Sequence, residues 1–424
     1  MLIAVSSGTP AQRGAEPGGG HRAAGGRSVC LPRCAVVRRP FARRSLSSPA
    51  RPPLVQTGTE HPMPDHVLIT GGAGFIGSHL ADELLRNGEP VLVLDNLSRG
   101  FVERNVERLK GRHGAGVEVR VCDVRDEQAV RDAVRRASFV FHLAAQVAIA
   151  RSVADPAHDF EVNARGTLNV LEALRRLDRP PPLLFASTSK VYGALPDLPI
   201  ERGEERYRPL CETAREHGIS ESQPLDLRSP YGCSRGAADQ YVLDYARTFG
   251  LHAVVLRVSC VYGPPQFGNE DQGWIAHFVA RAIRRDPITL YGDGLQVRDA
   301  LFIEDLVDAL LRARRALKPA SGRAFNIGGG PGTAVSLVDL LDLLEELDGR
   351  RPVVSLAAWR RDDPRYYVSD CRAFQALTGW APRVALRDGL RALYQWRLGV
   401  EARLGAVYAD IPSSVRMDRL EAAS

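Results

Sequence analysis

Short, mostly apolar runs recur along the chain at 67–70, 91–94, 117–121, 139–143 and 183–186. Apolar runs of this length predict strands, and those without strict alternation suit strands buried on both faces. Between and after them, apolar positions return every three to four residues, most clearly over 159–177 and 231–249. That period predicts amphipathic helices. Strands alternating with helices imply an α/β fold built on a doubly wound parallel sheet. Beyond Val261 the pattern loosens. Helices are expected at 274–285, 304–317 and 337–347, the last capped by Ser336, with short strands at 288–291 and 324–327. Gly328-Gly329-Gly330 reads as a turn, and the polar stretch 194–228 as a loop.

The loop after the first strand reads Gly71-Gly72-Ala73-Gly74-Phe75-Ile76-Gly77. Glycines at 71, 74 and 77 permit a tight turn, backbone approach to a pyrophosphate, and close helix packing. The first helical amides, at Phe75 and Ile76, would then face the phosphates. Lying between strand and helix, this is a dinucleotide fingerprint of the Rossmann kind. The second strand ends at Asp95, 18 residues past Gly77, and Asn96 follows it. A carboxylate there accepts bonds from the adenosine ribose and repels a 2′-phosphate, which favours NAD over NADP. Arg99 pulls the other way, because an arginine can pair with that phosphate. Asp123, followed by Val124, is placed to meet the adenine amino group. Ala144 and Ala145 are small enough for a cofactor to come close, and His142 reads as a satisfied core histidine.

Charge is unevenly divided. From Met1 to Met63 nine arginines face Glu16 and Glu60, a net +7, so the remainder carries −1 of the overall +6. The body therefore gives no reason to expect nucleic acid. Residues 1–63, rich in Gly, Pro, Ser and Arg, read as a disordered basic tail, a transit-type leader, or a mis-assigned start with Met63 as the true one. No apolar run approaches the roughly 20 residues of a membrane span. Seven scattered cysteines fit reduced thiols and a cytoplasmic setting, and no metal site is expected.

The segment Thr188-Ser189-Lys190-Val191-Tyr192-Gly193 closes the strand at 183–186, where ligands of such sheets bind. Tyr231 and Arg235 stand four residues apart near a helix start, on one face. A cation about 5 Å from a phenol, at an effective dielectric near 20, lowers its pKa by on the order of two units. Thr188, Tyr231 and Arg235 thus supply a hydroxyl, a phenol and a cation, a set able to move a proton off a sugar hydroxyl.

Together, the glycine fingerprint, the 188–193 segment and the Tyr231 helix resemble the extended short-chain dehydrogenase/reductase (NAD-dependent epimerase/dehydratase) superfamily over essentially 67–396. The run Ser229-Pro230-Tyr231-Gly232-Cys233-Ser234-Arg235, with Gln266-Phe267-Gly268 and Asp271-Gln272-Gly273-Trp274, is most similar to its CDP-paratose 2-epimerase branch. The resemblance implies a nucleotide-sugar epimerase. Its Tyr231 takes the C2 hydroxyl proton while hydride passes to tightly held NAD, and hydride then returns to the other face of the 2-keto sugar. It implies that Tyr231 and Arg235 also touch the cofactor, and that Thr188, Lys190, Gln272, Arg298 and Arg365 face a CDP-linked substrate. It also implies a 64–260 NAD-binding Rossmann domain, and a smaller, mostly C-terminal substrate-binding lid over 261–400, with some segments returning to the first domain. A tail would follow at 401–424. A homo-oligomer formed through helices beside the Tyr231 helix is a further implication.

Two positions depart from the branch. Arg235 replaces a lysine, and Pro265 stands where relatives carry arginine. A UDP-hexose 4-epimerase-like enzyme and an impaired NAD-binding homologue remain alternatives. A 4,6-dehydratase does not, since Ser189 and Lys190 occupy the positions its carboxylate pair needs.

Overall fold

The structure is a computed structural model that describes residues 66–409, with side chains through Arg403. The basic segment before Met63, Cys30 and Cys34, and the chain beyond Ala409 lie outside the described residues. Seven strands form the central sheet: β1 (His66–Thr70), β2 (Val91–Asp95), β3 (Val117–Val121), β4 (Ala137–His142), β5 (Leu183–Thr188), β6 (Ala253–Val258) and β7 (Ala324–Ile327). Their spatial order is β7-β6-β5-β4-β1-β2-β3, and every pairing is parallel. Strand order reverses between β1 and β4, which opens a crevice at their carboxyl ends.

Successive residues of each strand enter opposite cores, as the pleat requires. Val67, Ile69, Val91, Val93 and Phe141 pack into one cluster, and Leu68, Leu92, Leu94, Val140 and Phe185 into the other. Both sheet faces are therefore apolar, which explains the unbroken hydrophobic runs of the sequence.

A second layer lies beyond β6. Val297–Phe302 pairs with Cys260–Tyr262, Ala334–Ser336 and Tyr366–Tyr367, and Ile288–Tyr291 runs parallel to Val354–Ala357. Ser336 caps the helix Leu337–Asp348 as expected, in a reciprocal capping box with Asp339. The last helix, Leu386–Ala409, runs nine residues past position 400, where a tail was expected.

Three expectations need correction. The helix over 159–177 is not uniform. It starts at Pro156 after the Asp155 cap, passes through a π turn at Glu161–Arg165, and continues as Gly166–Arg175. There the Thr167 hydroxyl donates to the Asn163 carbonyl at 2.6 Å, and the Asn163 side chain is turned into the core. The stretch read as a loop over 194–228 holds a hairpin, Ile200–Arg202 with Tyr207–Pro209, and a helix, Glu212–His217. Leu195, Ala214 and Ile219 bury a small core there with Val191, Tyr192 and Tyr367. Finally, β6 and Val297–Phe302 have no counterpart among the predicted strands. Each carries charges in an apolar run, and only the tertiary structure shows those charges paired.

Candidate active site

The glycine fingerprint forms the turn between β1 and the helix Phe75–Arg86. Gly71 has a φ of +69°, and a Cβ there would stand 2.7 Å from the Ala144 nitrogen. A Cβ at Gly77 would stand 2.3 Å from the Gly71 carbonyl oxygen. Only glycine lets the turn, the helix and the Ala144-Ala145 loop converge. Asp95 accepts bonds from the amides of Ala73 (3.1 Å) and Leu97 (2.9 Å). Burial raises its pKa, and those two amides, Arg99 and the Gly74 amide oppose the rise. Asn96 donates to Asp123 at 2.8 Å. Burial works against the Asp123 charge, but the two-pronged Arg125 pairing outweighs it and brings its pKa to about 2. Val124 packs beneath Gly166, where a Cβ would meet its methyl at 2.7 Å. His142 is the core histidine expected: Nδ1 meets Thr70 Oγ1 at 2.6 Å and Nε2 meets Thr167 Oγ1 at 3.0 Å.

The helix that carries Tyr231 and Arg235 spans Ser229–Phe249, with Pro230 in its first turn. Tyr231 and Arg235 are both buried on it, at 7% and 3% exposure. The Arg235 guanidinium carbon lies 4.6 Å from the centre of the Phe185 ring, and Nη2 donates to the Ala186 carbonyl of β5. Its Nε and Nη1 are buried without a hydrogen-bond partner. A buried guanidinium with two idle donors, aimed from the helix that carries Tyr231, suits the polar hydroxyls of a bound dinucleotide. Thr188 ends β5 and begins the turn Ser189–Tyr192, its Oγ1 accepting the Lys190 amide at 3.2 Å. That turn packs on the helix start, where a Cβ at Gly232 would sit 3.6 Å from the Lys190 carbonyl oxygen.

Lys190 and Arg298 meet on one carboxylate. Lys190 Nζ lies 2.8 Å and Arg298 Nη2 2.9 Å from the same oxygen of Asp363. Burial opposes the Asp363 charge, but the two cations prevail and hold its pKa well below the usual carboxylate range. Cys260 belongs to this neighbourhood: burial raises its thiol pKa, while Trp274, Arg298 and Lys190 act to lower it. Gln272 has a buried side-chain oxygen without a partner. Arg365 is turned away and stacks 3.3 Å from the centre of a Trp359 ring. It also lines a shallow recess with Leu195, Leu198 and Tyr366. The structure thus gathers Lys190 and Arg298, and leaves Arg365 outside their cluster.

Sequence reasoning missed the supports. Ser234 donates to Asp159 at 2.5 Å, and Asn163 donates to Ser234, Asp159 and the Gln146 carbonyl. Asp239 forms a two-pronged pair with Arg257, both bonds 3.0 Å. Arg257 continues to the Tyr192 hydroxyl, which donates to Asn326. These networks tie the Tyr231 helix to the π turn, the 188–193 segment, β6 and β7. Asp299 joins the second layer in the same way, accepting bonds from Ser259 and the amides of Gly330 and Ser369. The glycine cluster at 328–330 is the expected turn, held by that carboxylate. No sequence signal marks Asp239, Asp159 or Asp299, because their partners lie far along the chain.

Among the described residues no group of side chains could hold a metal ion, and no helix is long and apolar enough to cross a membrane. Residues 67–328 match the NAD dependent epimerase/dehydratase family. The chain is 40% identical over 337 residues to the CDP-paratose 2-epimerase of Salmonella typhi, covering 78% of this chain and 98% of that protein. It is 30% identical to a putative UDP-glucose 4-epimerase of Methanocaldococcus jannaschii, covering 78% and 97%. Among solved structures, the Thermus thermophilus UDP-glucose 4-epimerase in complex with NAD superposes with a TM-score of 0.67 at 35% identity. That match covers 79% of this chain and 99% of the other.

Proposed function

From its membership of the NAD dependent epimerase/dehydratase family, we propose that this chain is an NAD-dependent nucleotide-sugar epimerase that interconverts CDP-paratose and CDP-tyvelose at C2. The observation that carries the reading is the pairing of the Thr188 turn with the helix bearing Tyr231 and Arg235, at the carboxyl end of β5. Ser189 and Lys190 follow Thr188, so the acid–base carboxylates of a dehydratase are missing. The likeness to a CDP-paratose 2-epimerase along nearly its whole length supports the choice of substrate.

The fingerprint amides, Asp95 and the idle donors of Arg235 fit NAD, which supplies reversible hydride acceptance at a sugar carbon. The chain's own part is to place and move a proton. Thr188 orients the reacting hydroxyl. Tyr231, one helical turn from the Arg235 charge, removes that proton and later gives it back. Arg298, its fork buried beside the turn, takes up the diphosphate, and Gln272 offers an unpaired acceptor to the substrate. Burial of Tyr231 excludes water from the proton's path.

The test is turnover of CDP-paratose in the presence of NAD, followed by NMR. CDP-tyvelose formation above a Tyr231→Phe control is expected. Bound NAD with no product from this substrate would overturn the assignment.

A further inference from the structure

Resting on that reading, we infer that Asp363 is a positioning residue that selects the C2 hydroxyl for reaction, by holding Lys190 of the catalytic turn against Arg298 of the phosphate-binding strand. Both cations contact the same Asp363 oxygen, so they are no farther apart than those two contacts laid end to end. Lys190 follows Thr188 by two residues and is bonded to its hydroxyl through the backbone. Arg298 is fixed from the other side, since Nη1 donates to the Val297 carbonyl at 2.7 Å. One carboxylate therefore closes the interval between the Lys190 ammonium, carried by the turn that Thr188 begins, and the cation that receives the diphosphate.

That interval limits which carbon can react. In a nucleotide sugar, C2 is bonded to the anomeric carbon that carries the diphosphate, whereas C4 lies across the ring. A tether from phosphate cation to catalytic turn, through Asp363 and the Lys190 side chain, brings C2 to Thr188 and Tyr231. Chemistry at C4 needs the ring laid out between them. Asp363 itself is set by its turn: Asp362 has a φ of +58°, and Pro364 restricts the residue before it. If Asp363 served only to neutralise two cations, its loss would change anion affinity or stability but leave the choice of carbon untouched.

The experiment uses the full chain with NAD and CDP-paratose, a sugar with hydroxyls at both C2 and C4. Products are resolved by NMR, and ketone is trapped with sodium borodeuteride to locate the deuterium. The native chain is expected to react at C2 alone. Asp363→Asn and Lys190→Met are expected to lower C2 kcat by about tenfold or more, with KM changed by less than about threefold and NAD content unchanged. Deuterium should then appear at C4 as well. Retention of C2 kcat within about twofold in both variants, or a loss confined to KM with deuterium only at C2, overturns the inference. Lys190→Met decides the matter if the Asp363 variant does not fold. Should the native chain leave CDP-paratose untouched, the proposed function fails on its own. The same trapping with UDP-glucose then tests position separately: label at C2 supports the role of Asp363, and label at C4 overturns it.

Discussion

The guanidinium carbon of Arg235 stands 4.6 Å from the centre of the Phe185 ring, while Nη2 bonds the carbonyl of Ala186, the next residue along β5. Burial lowers the Arg235 pKa, and Tyr231, Asp239 and Asp159 act to raise it. Arginine stays protonated in either case. The strand thus fixes a permanent cation one helical turn from the phenol of Tyr231. Such a cation assists by its field, whereas a lysine could also relay a proton.

Turnover should follow that distinction. Arg235→Lys is expected to keep kcat within about tenfold of the native chain, because the charge remains. Arg235→Met should lower kcat further than Arg235→Lys does, because the buried charge beside Tyr231 is then lost. Tyr231→Phe should lower kcat by roughly 10²–10⁴ while bound NAD is retained. Steady-state kinetics with NAD content measured in each variant checks all three.

Hydrogen at the reacting carbon should stay on the sugar. A reaction that takes only the hydroxyl proton through Tyr231, and returns the same hydride, leaves no route for solvent to enter the carbon. Product formed in deuterated water is expected to carry hydrogen at C2. Deuterium there, read by NMR, would point to deprotonation of carbon instead.

Gly77→Ala should destroy the cofactor cradle. Its new Cβ would lie 2.3 Å from the Gly71 carbonyl oxygen, a backbone atom that cannot swing aside. The helix must then move off the turn, with loss of bound NAD and a cost of about 1–3 kcal/mol from overpacking. NAD content and the Tm of the purified variant measure both effects.

The buried Asp239–Arg257 pair should be costly to break. Burial works against the Arg257 charge, yet the Asp239 bonds outweigh it and raise its pKa. Asp239→Asn leaves an uncompensated charge in the core and is expected to cost about 3–5 kcal/mol. Denaturant unfolding gives the value. The loss should exceed that of Tyr192→Phe, which removes a hydroxyl bonded to Arg257 and Asn326 at the edge of the same network.

His142 makes stability sensitive to mild acid. Burial, aided by the Arg235 charge, lowers its pKa from 6.5 to about 3. The unfolded chain therefore takes up this proton first. The contribution is complete above pH 6.5 and is lost as pH falls towards 3, by at most about 1.4 kcal/mol per pH unit. The lowered carboxylates act later: Asp123, with a pKa of about 2, loses its contribution only below the ordinary carboxylate value of 3.8. Between pH 6.5 and 4.5, His142→Gln is expected to flatten the fall in unfolding free energy relative to the native chain.

Much of this molecule is written locally. Apolar runs foretold β1 to β5 and β7, glycine spacing the cofactor turn, Ser336 its capped helix, and the Tyr231–Arg235 spacing a shared helix face. These depend on steric and hydrogen-bonding rules that act within a few residues, so they survive in the linear pattern. The tertiary structure alone decided which charges meet. Asp363 joins Lys190 to Arg298, Asp239 joins Arg257, and Arg235 settles on β5 rather than in open solvent. Each of these partners is brought together by strand order and by burial, which makes an unpaired charge expensive. A charge in an apolar run, as at Arg257 or Arg298, looks in sequence like a break in a strand. In the fold, its partner completes the strand and builds the site.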